Sequence, residues 1–339
     1  MNKWEQFDNL MRCKHNQEEH IQFSPLLMHF AARFIGKTYA EFASDHKVLV
    51  EANLRCLDQF DLDSVGLISD PYRETSAFGA RIEYVKEGVP KCTEPIISTI
   101  DDVRALKNPD LFRSGRTFDR IMAARELYKA TGGSVPIIGW IEGPLAEACN
   151  LTGVSEMLLK LMIDQDFARM LLEKTTITAK EFAKTQIEAG CNIIGMGDAI
   201  CSQISADDYQ TYVKHLHKEI IDYIHSLGAY VKLHICGDIR HLLNDIKDIG
   251  TDILDVDWMV DMDLAHDILG EHILRCGNID PVFIQNNDQE VIAVTTRQLI
   301  EKEKGRGFIF SAGCEITVDT PHANLLAMRN ASTGQTFSQ

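Results

Sequence analysis

Residues 230–236 read YVKLHIC and residues 307–313 read GFIFSAG. Each run is apolar along its length, too short for a helix, and lacks the strict alternation of a strand with one wet face. Both therefore read as strands buried on two sides. Six more runs of this kind are IQFSPLLM (21–28), SVGLIS (64–69), VPIIGWI (135–141), NIIGMG (192–197), DILDVD (252–257) and HILRCGN (272–278). Helical patterns separate most of them. Residues 155–190 hold two helices closed by Gly190, and residues 205–228 begin on a Ser205 cap, carry acids in the first turn and stop at Gly228. DIRHLLNDIKDIG (238–250) and DLAHDILG (263–270) repeat the helix-then-glycine punctuation. Eight strands alternating with helices define an α/β fold closed into a (β/α)8 TIM barrel. The competing architecture, an open doubly wound sheet, wants a glycine-rich phosphate turn after an early strand, and the sequence has none. Residues 71–134 are too long for one crossover and read as an insertion or lid, with a hairpin in ARIEYVKEGVPKCTEP (80–95). No linker or repeat interrupts the chain, so residues 1–339 read as one domain.

Composition narrows the function. The 339 residues are 45% hydrophobic and 25% charged, ordinary for a soluble globular protein, and long enough to bury a large core without disulfides. A formal net charge of -16 argues against a nucleic-acid or anionic-membrane partner, while leaving room for a small anionic ligand. No stretch approaches the roughly 18 apolar residues of a membrane span, and the first twenty residues show no secretory apolar region. Nine cysteines, from Cys13 to Cys314, are an odd number spread over the whole length. Free thiols in a reducing cytoplasm follow, where a cysteine cluster points to metal or catalysis.

One cluster has the required placement. His234 and Cys236 are one residue apart at the end of the fifth strand, and i, i+2 side chains on a strand share a side. That end is the C-terminal face, where barrel enzymes place their chemistry. Cys314, in SAGCEITVDTP, occupies the matching end of the eighth strand. One imidazole and two thiolates suit Zn2+ over magnesium or calcium, with a position open in the manner of a catalytic site. Asp257, at the end of strand six, is the candidate for a fourth ligand. Asp255 lies two residues earlier on the same side. The bland alternative is a buried histidine beside two buried free thiols.

LHICGD (233–238) followed by SAGCEITVDTPHANLLAM (311–328) resembles the zinc signature of the cobalamin-dependent methyltransferases of the uroporphyrinogen decarboxylase superfamily, the methylcobalamin:coenzyme M enzymes and their bacterial relatives. ISDPYRETSAFG (68–79), IEGPLAEACNLTGV (141–154), ILDVDWMVD (253–261) and GNIDPVFI (277–284) resemble the superfamily's second, third, sixth and seventh strand segments. The resemblance implies a TIM barrel with an N-terminal helical extension (about 1–20), and zinc on His234, Cys236 and Cys314. It also implies that Asp70 contacts substrate. True decarboxylases resemble this chain less in two places. Their arginine-rich stretch after strand one is here LLMHFAARFIG (26–36), with only Arg33, and they carry a histidine where this chain has Cys314. Both departures point to the methyltransferase branch.

The remaining candidates sit at strand ends. Asp70, Glu142 and Asp198 are the catalytic or positioning candidates, and Asp70, Trp140, Trp258 and Asn278 the substrate-binding ones; the ordinary alternatives are caps, ion pairs and core packing. His215, His217 and His225 share one amphipathic helix and read as a solvated face. Methyl transfer from a methylcorrinoid needs a strong nucleophile at neutral pH, which zinc supplies by deprotonating a bound thiol. The chain has no D-x-H-x-x-G corrinoid signature, so the methylcobalamin is expected from a corrinoid-carrying partner protein, alongside a small-molecule methyl donor or acceptor. A methoxylated or methylamine-type donor, and a divergent lyase, are the alternative readings.

Overall fold

The computed structural model describes residues 1–12 and 20–334; Cys13 and part of the N-terminal extension lie outside the described residues. Ten strands are formed: β1 (Gln22–Phe23), β2 (Val65–Gly66), β3 (Ile82–Val85), β4 (Gly88–Cys92), β5 (Ile137–Glu142), β6 (Ile193–Gly197), β7 (Tyr230–His234), β8 (Ile253–Val256), β9 (Leu274–Ile279) and β10 (Phe308–Ala312). Eight of them form one parallel sheet in the order β1-β10-β9-β8-β7-β6-β5-β2. The two ends of that sheet meet at a seam, where Asp63 donates its N–H to the carbonyl of Phe23 (2.9 Å) and takes the Phe23 N–H on its carboxylate (2.7 Å). The fold is the α/β TIM barrel that the alternating strand and helix patterns predict. Six of the eight sequence segments contain their strand, and β5 and β9 each run one residue past theirs.

Parallel strands keep paired residues on the same side, so the registers sort inside from outside. Ile138 lies beside Ile193, Lys232 beside Ile253, and Ile253 beside Leu274. Ile138, Ile193, Ile253 and Leu274, with Trp140, Cys276 and Ile309, form an inner apolar cluster distinct from the larger core between sheet and helices. The N-terminal helix Lys3–Arg12 adds Phe7, Leu10 and Met11 to this inner cluster and packs Phe7 edge-on against Tyr230, closing the barrel floor. Its amphipathic face explains why a short helix is held there at all.

The hairpin predicted within residues 80–95 is present as antiparallel β3 and β4. Its tip is tied to the helix Tyr39–Ser44 by Ala40 N–H to Lys86 O (3.2 Å). The region 71–134 is not all insertion, however. Its last third is the helix Gly115–Thr131, whose Ile121, Ala124 and Leu127 are buried as in any barrel crossover helix. Among the described residues no helix is long and apolar enough to cross a membrane.

Candidate metal centre

His234 closes β7, Cys236 follows it in the loop, and Cys314 stands two residues past β10. His234 Nε2 is 3.0 Å from Cys236 Sγ, the two sulfurs are 3.8 Å apart, and all three donor atoms lie within 4.8 Å of one another. His234 is buried, while both cysteines keep some exposure. The tautomer of His234 is set from behind, because Nδ1 faces Asp255 Oδ2 at 2.8 Å. Asp255 is in turn paired with the buried ammonium of Lys232 at 3.0 Å. Burial pushes the Asp255 carboxyl up, but Lys232 and His234 outweigh it and hold the group at about 2. A carboxylate behind a ligating imidazole is the usual support of a metal-binding histidine. The hydrogen bond from Cys236 draws Cys314 down to about 4 against the effect of burial, with His234 helping, and the same bond pushes Cys236 up.

Asp257 does not point a free oxygen at this cluster. Its Oδ2 accepts the N–H of Gly237 (2.6 Å) and its Oδ1 that of Trp258 (2.7 Å), so it holds the turn after Cys236 and stands outside the group of donors that lie within 4.8 Å of one another. The turn before Cys314 is pressed against the same group: a Cβ at Gly313 would lie 2.4 Å from Trp258 N and 3.1 Å from Asp257 Oδ1. Only glycine fits there. Asn278, expected at substrate, donates its side-chain amide to the carbonyls of Val260 (2.8 Å) and Asp257 (3.4 Å) and locks the same loop.

The other strand-end acids are each held by partners within the protein, Asp70 and Asp198 through both oxygens and Glu142 through one. Asp70 is buried and held by Arg116 Nη1 at 2.8 Å, by the other guanidinium nitrogen, by Ser69 Oγ and by Tyr72 N–H. Burial raises its carboxyl, Arg116 lowers it further, and it rests at about 2. Both oxygens of this residue, which the resemblance places at substrate, are engaged within the protein. Asp198 is fully buried and caps the helix Pro144–Thr152, accepting from Leu145 N–H (3.2 Å) and Ala146 N–H (2.7 Å). Its third partner is His217 Nε2 at 2.9 Å, and His217 Nδ1 meets Tyr209 Oη at 3.0 Å. His217 is thus no part of a solvated face: it falls on the buried stripe with Val213, Leu216, Ile220 and Ile224. Glu142 is paired with Arg73 at 2.8 Å, yet keeps slight exposure. Burial raises its carboxyl to about 8, with Arg73 opposing and Glu74 adding to the rise.

The two tryptophans part company. Trp258 is 48% exposed at the rim beside Asp257, with Met259 next to it equally exposed. Trp140 is 3% exposed and lies inside the barrel, its ring 5.8 Å from that of His234. The residues missed as functional by sequence reasoning are Lys232, Arg73 and Arg116. Lys232 had a signal, since a lysine inside a doubly buried strand needs a partner. Arg116 had none, because it meets Asp70 from 46 residues away.

The comparisons with known proteins agree with this architecture. Residues 13–334 match the family model described as uroporphyrinogen decarboxylase (URO-D), and the chain belongs to that family. Uroporphyrinogen decarboxylase from Herminiimonas arsenicoxydans is 26% identical over 313 residues, covering 89% of this chain and 86% of that protein. Uroporphyrinogen decarboxylase from Geobacter sp. (strain M21) is 27% identical over 300 residues, covering 86% of each. Among solved structures, a methyltransferase from Methanosarcina mazei superposes with a TM-score of 0.89 over 98% of both chains at 20% identity. A B12-independent methionine synthase from Shewanella sp. W3-18-1 gives a TM-score of 0.57 at 16% identity, covering 92% of this chain and 95% of that one. At these identities the two structures speak to the fold. Family and relatives together make the chain an enzyme.

Proposed function

We propose that the chain is a zinc-dependent methyltransferase, moving a methyl group between a corrinoid on a partner protein and a small acceptor, such as a thiol, held at His234, Cys236 and Cys314. The observation that carries this reading is the convergence of those three donor atoms within 4.8 Å at two strand ends. The donor set fits the ion. Tetrahedral zinc with Zn–S near 2.3 Å stands two sulfurs about 3.8 Å apart, and Cys236 and Cys314 are separated by 3.8 Å. When bound, the ion would supply Lewis acidity that deprotonates a thiol at neutral pH without quenching its nucleophilicity.

The chain's own residues do the rest. Asp255 stands ready to accept the Nδ1 proton of His234, an arrangement in which Nε2 would be the atom that holds the ion. Lys232 balances Asp255, so the support is an ion pair and not a lone buried charge. Asp257 fixes the turn that carries Cys236, and its contact with Gly313 sets the approach of Cys314. Exposed Trp258 and Met259 give the rim an apolar edge against which a corrin ring can lie.

One zinc per chain is expected by elemental analysis of protein purified without chelator. The Cys236→Ser/Cys314→Ser variant should carry none while keeping its circular dichroism. With methylcob(III)alamin and a thiol panel, the carbon–cobalt bond breaks, a carbon–sulfur bond forms, the thiol proton goes to solvent, and cob(I)alamin appears in the absorbance. A zinc-free native protein would sink this reading. The names of the relatives favour a second reading, decarboxylation of a uroporphyrinogen-like substrate. Two features weigh against it: Arg33, the single arginine in the stretch after β1, is exposed and paired with Asp319 at 2.7 Å, and Asp70 is closed off by Arg116. Sustained turnover of uroporphyrinogen would establish the second reading instead.

A further inference from the structure

Glu142, Gly197 and His234 are consecutive register partners on β5, β6 and β7, so they stand at one level on the inner wall. The middle position carries no side chain. Gly195, one step deeper on the same face, also carries none, and the indole of Trp140 occupies the bared strip. A Cβ at Gly195 would lie 2.3 Å from Trp140 Cε3, and one at Gly197 would lie 3.1 Å from both Cζ2 and Nε1. The pyrrole edge of the indole is therefore at the level of Glu142 and His234. Its ring plane stands at 60° to the imidazole, 5.8 Å away.

That edge has an unused donor. Trp140 is 3% exposed, but its Nε1–H makes no hydrogen bond to a described residue; the bonds of Trp140 run from its backbone to Gln186. A buried indole normally finds an acceptor. Nor is this nitrogen sealed in the core, since it is absent from the fully enclosed unpartnered atoms. Glu142 offers a second group of the same kind. Its Oε1 is engaged by Arg73, while Oε2 makes no hydrogen bond to a described residue. Burial raises this carboxyl against the pull of Arg73, which favours the protonated form that can donate.

We propose that Trp140 Nε1–H and the Glu142 carboxyl form a subsite beside His234 that binds a hydrogen-bond-accepting oxygen of the small molecule whose methyl group is exchanged. The ligand class is an ether or other oxygenated molecule, not a methylated ammonium, which has no lone pair to offer two donors. The identity of the ligand as methyl donor or acceptor rests on the methyl-transfer reading; the subsite itself does not need the ion.

The test uses full-length protein labelled with 15N-tryptophan, stripped of metal by chelator and then repeated with Zn2+. The probes are 2-methoxyethanol and, as a cation of similar size, tetramethylammonium. The Nε1–H resonance of Trp140, assigned with the Trp140→Phe variant, should move with the ether and stay still with the cation. Ether binding should weaken about tenfold in Trp140→Phe and in Glu142→Ala, and stay within about threefold in Glu142→Gln, whose amide still donates. A resonance that ignores the ether, or that follows tetramethylammonium instead, overturns the subsite. The resonance is read in the native chain, so a variant that folds badly does not decide the matter. Movement with the ether in a protein that never holds zinc would overturn the metal reading alone. Stoichiometric zinc with an unmoved resonance would overturn the subsite alone.

Discussion

The two halves of the barrel mouth use similar residues in opposite ways. Along β2 and β6 the acids at the strand ends are enclosed by partners, Asp70 by Arg116 and Asp198 by two helix N–H groups and His217, while Glu142 at the end of β5 is held by Arg73 through Oε1 alone. Along β7, β8 and β10, Asp255 and Asp257 are equally engaged, but they stand behind or beside side chains that keep open donor atoms, His234, Cys236 and Cys314. Position at the C-terminal face does not by itself make a residue a site. What distinguishes the two halves is whether the outermost donor atoms already have partners from the protein. The first half mainly holds its side of the barrel together, with Glu142 Oε2 and Trp140 Nε1 as its unengaged groups, and the second presents three open donor atoms.

The largest expected effect breaks the first half and spares the second. Arg116→Met leaves Asp70 buried without its counter-ion, and removing one partner of a buried pair costs about 3–5 kcal/mol. Urea unfolding should show that loss, while zinc content per folded chain stays unchanged. Loss of zinc together with stability would mean that the two halves are one cooperative unit.

A smaller effect comes from pH. Asp70 sits at about 2 in the folded chain, below the ordinary carboxylate value. Such a group contributes stability that is present above its unfolded pKa near 3.9 and lost as pH falls through about 2, here about 2 kcal/mol. Glu142 has the opposite sign: raised to about 8, it binds its proton more tightly when folded, so stability rises as pH falls from 8 towards 5. The urea midpoint of the metal-free protein should therefore pass through a maximum near pH 5. Glu142→Gln should flatten the upper limb and leave the acid limb in place. A midpoint that does not change between pH 8 and 5 in the native chain would contradict the enclosed state of Glu142.

The smallest stability effect sharpens the contrast from the other side. Trp258 is 48% exposed at the rim of the half that carries His234, Cys236 and Cys314. Trp258→Ala should alter stability by no more than about 0.5 kcal/mol, as exposed substitutions do, while slowing transfer from methylcobalamin. A stability loss comparable to that of Arg116→Met would place Trp258 in the scaffold.

The sequence by itself determined the eight strands, their parallel order and the convergence of His234, Cys236 and Cys314. It could do so because buried strands are read from local apolar runs, and because i, i+2 spacing fixes two ligands on one side whatever surrounds them. It marked Asp70, Glu142, Asp198, Asp257 and Asn278 as mouth residues for the same reason, since strand ends are local. What each of them touches was decided only by the tertiary structure. The partner of Asp70 comes from a helix 46 residues on, and that of Asp198 from 19 residues on. Asp257 bonds backbone N–H groups that carry no side-chain signature at all. Trp140 shows the same limit: its apolar run announces a buried ring, but only β6, bared at Gly195 and Gly197, lays that ring beside His234 with an N–H left over. Local pattern fixes where a side chain starts, and long-range packing fixes which of its hydrogen bonds are already made.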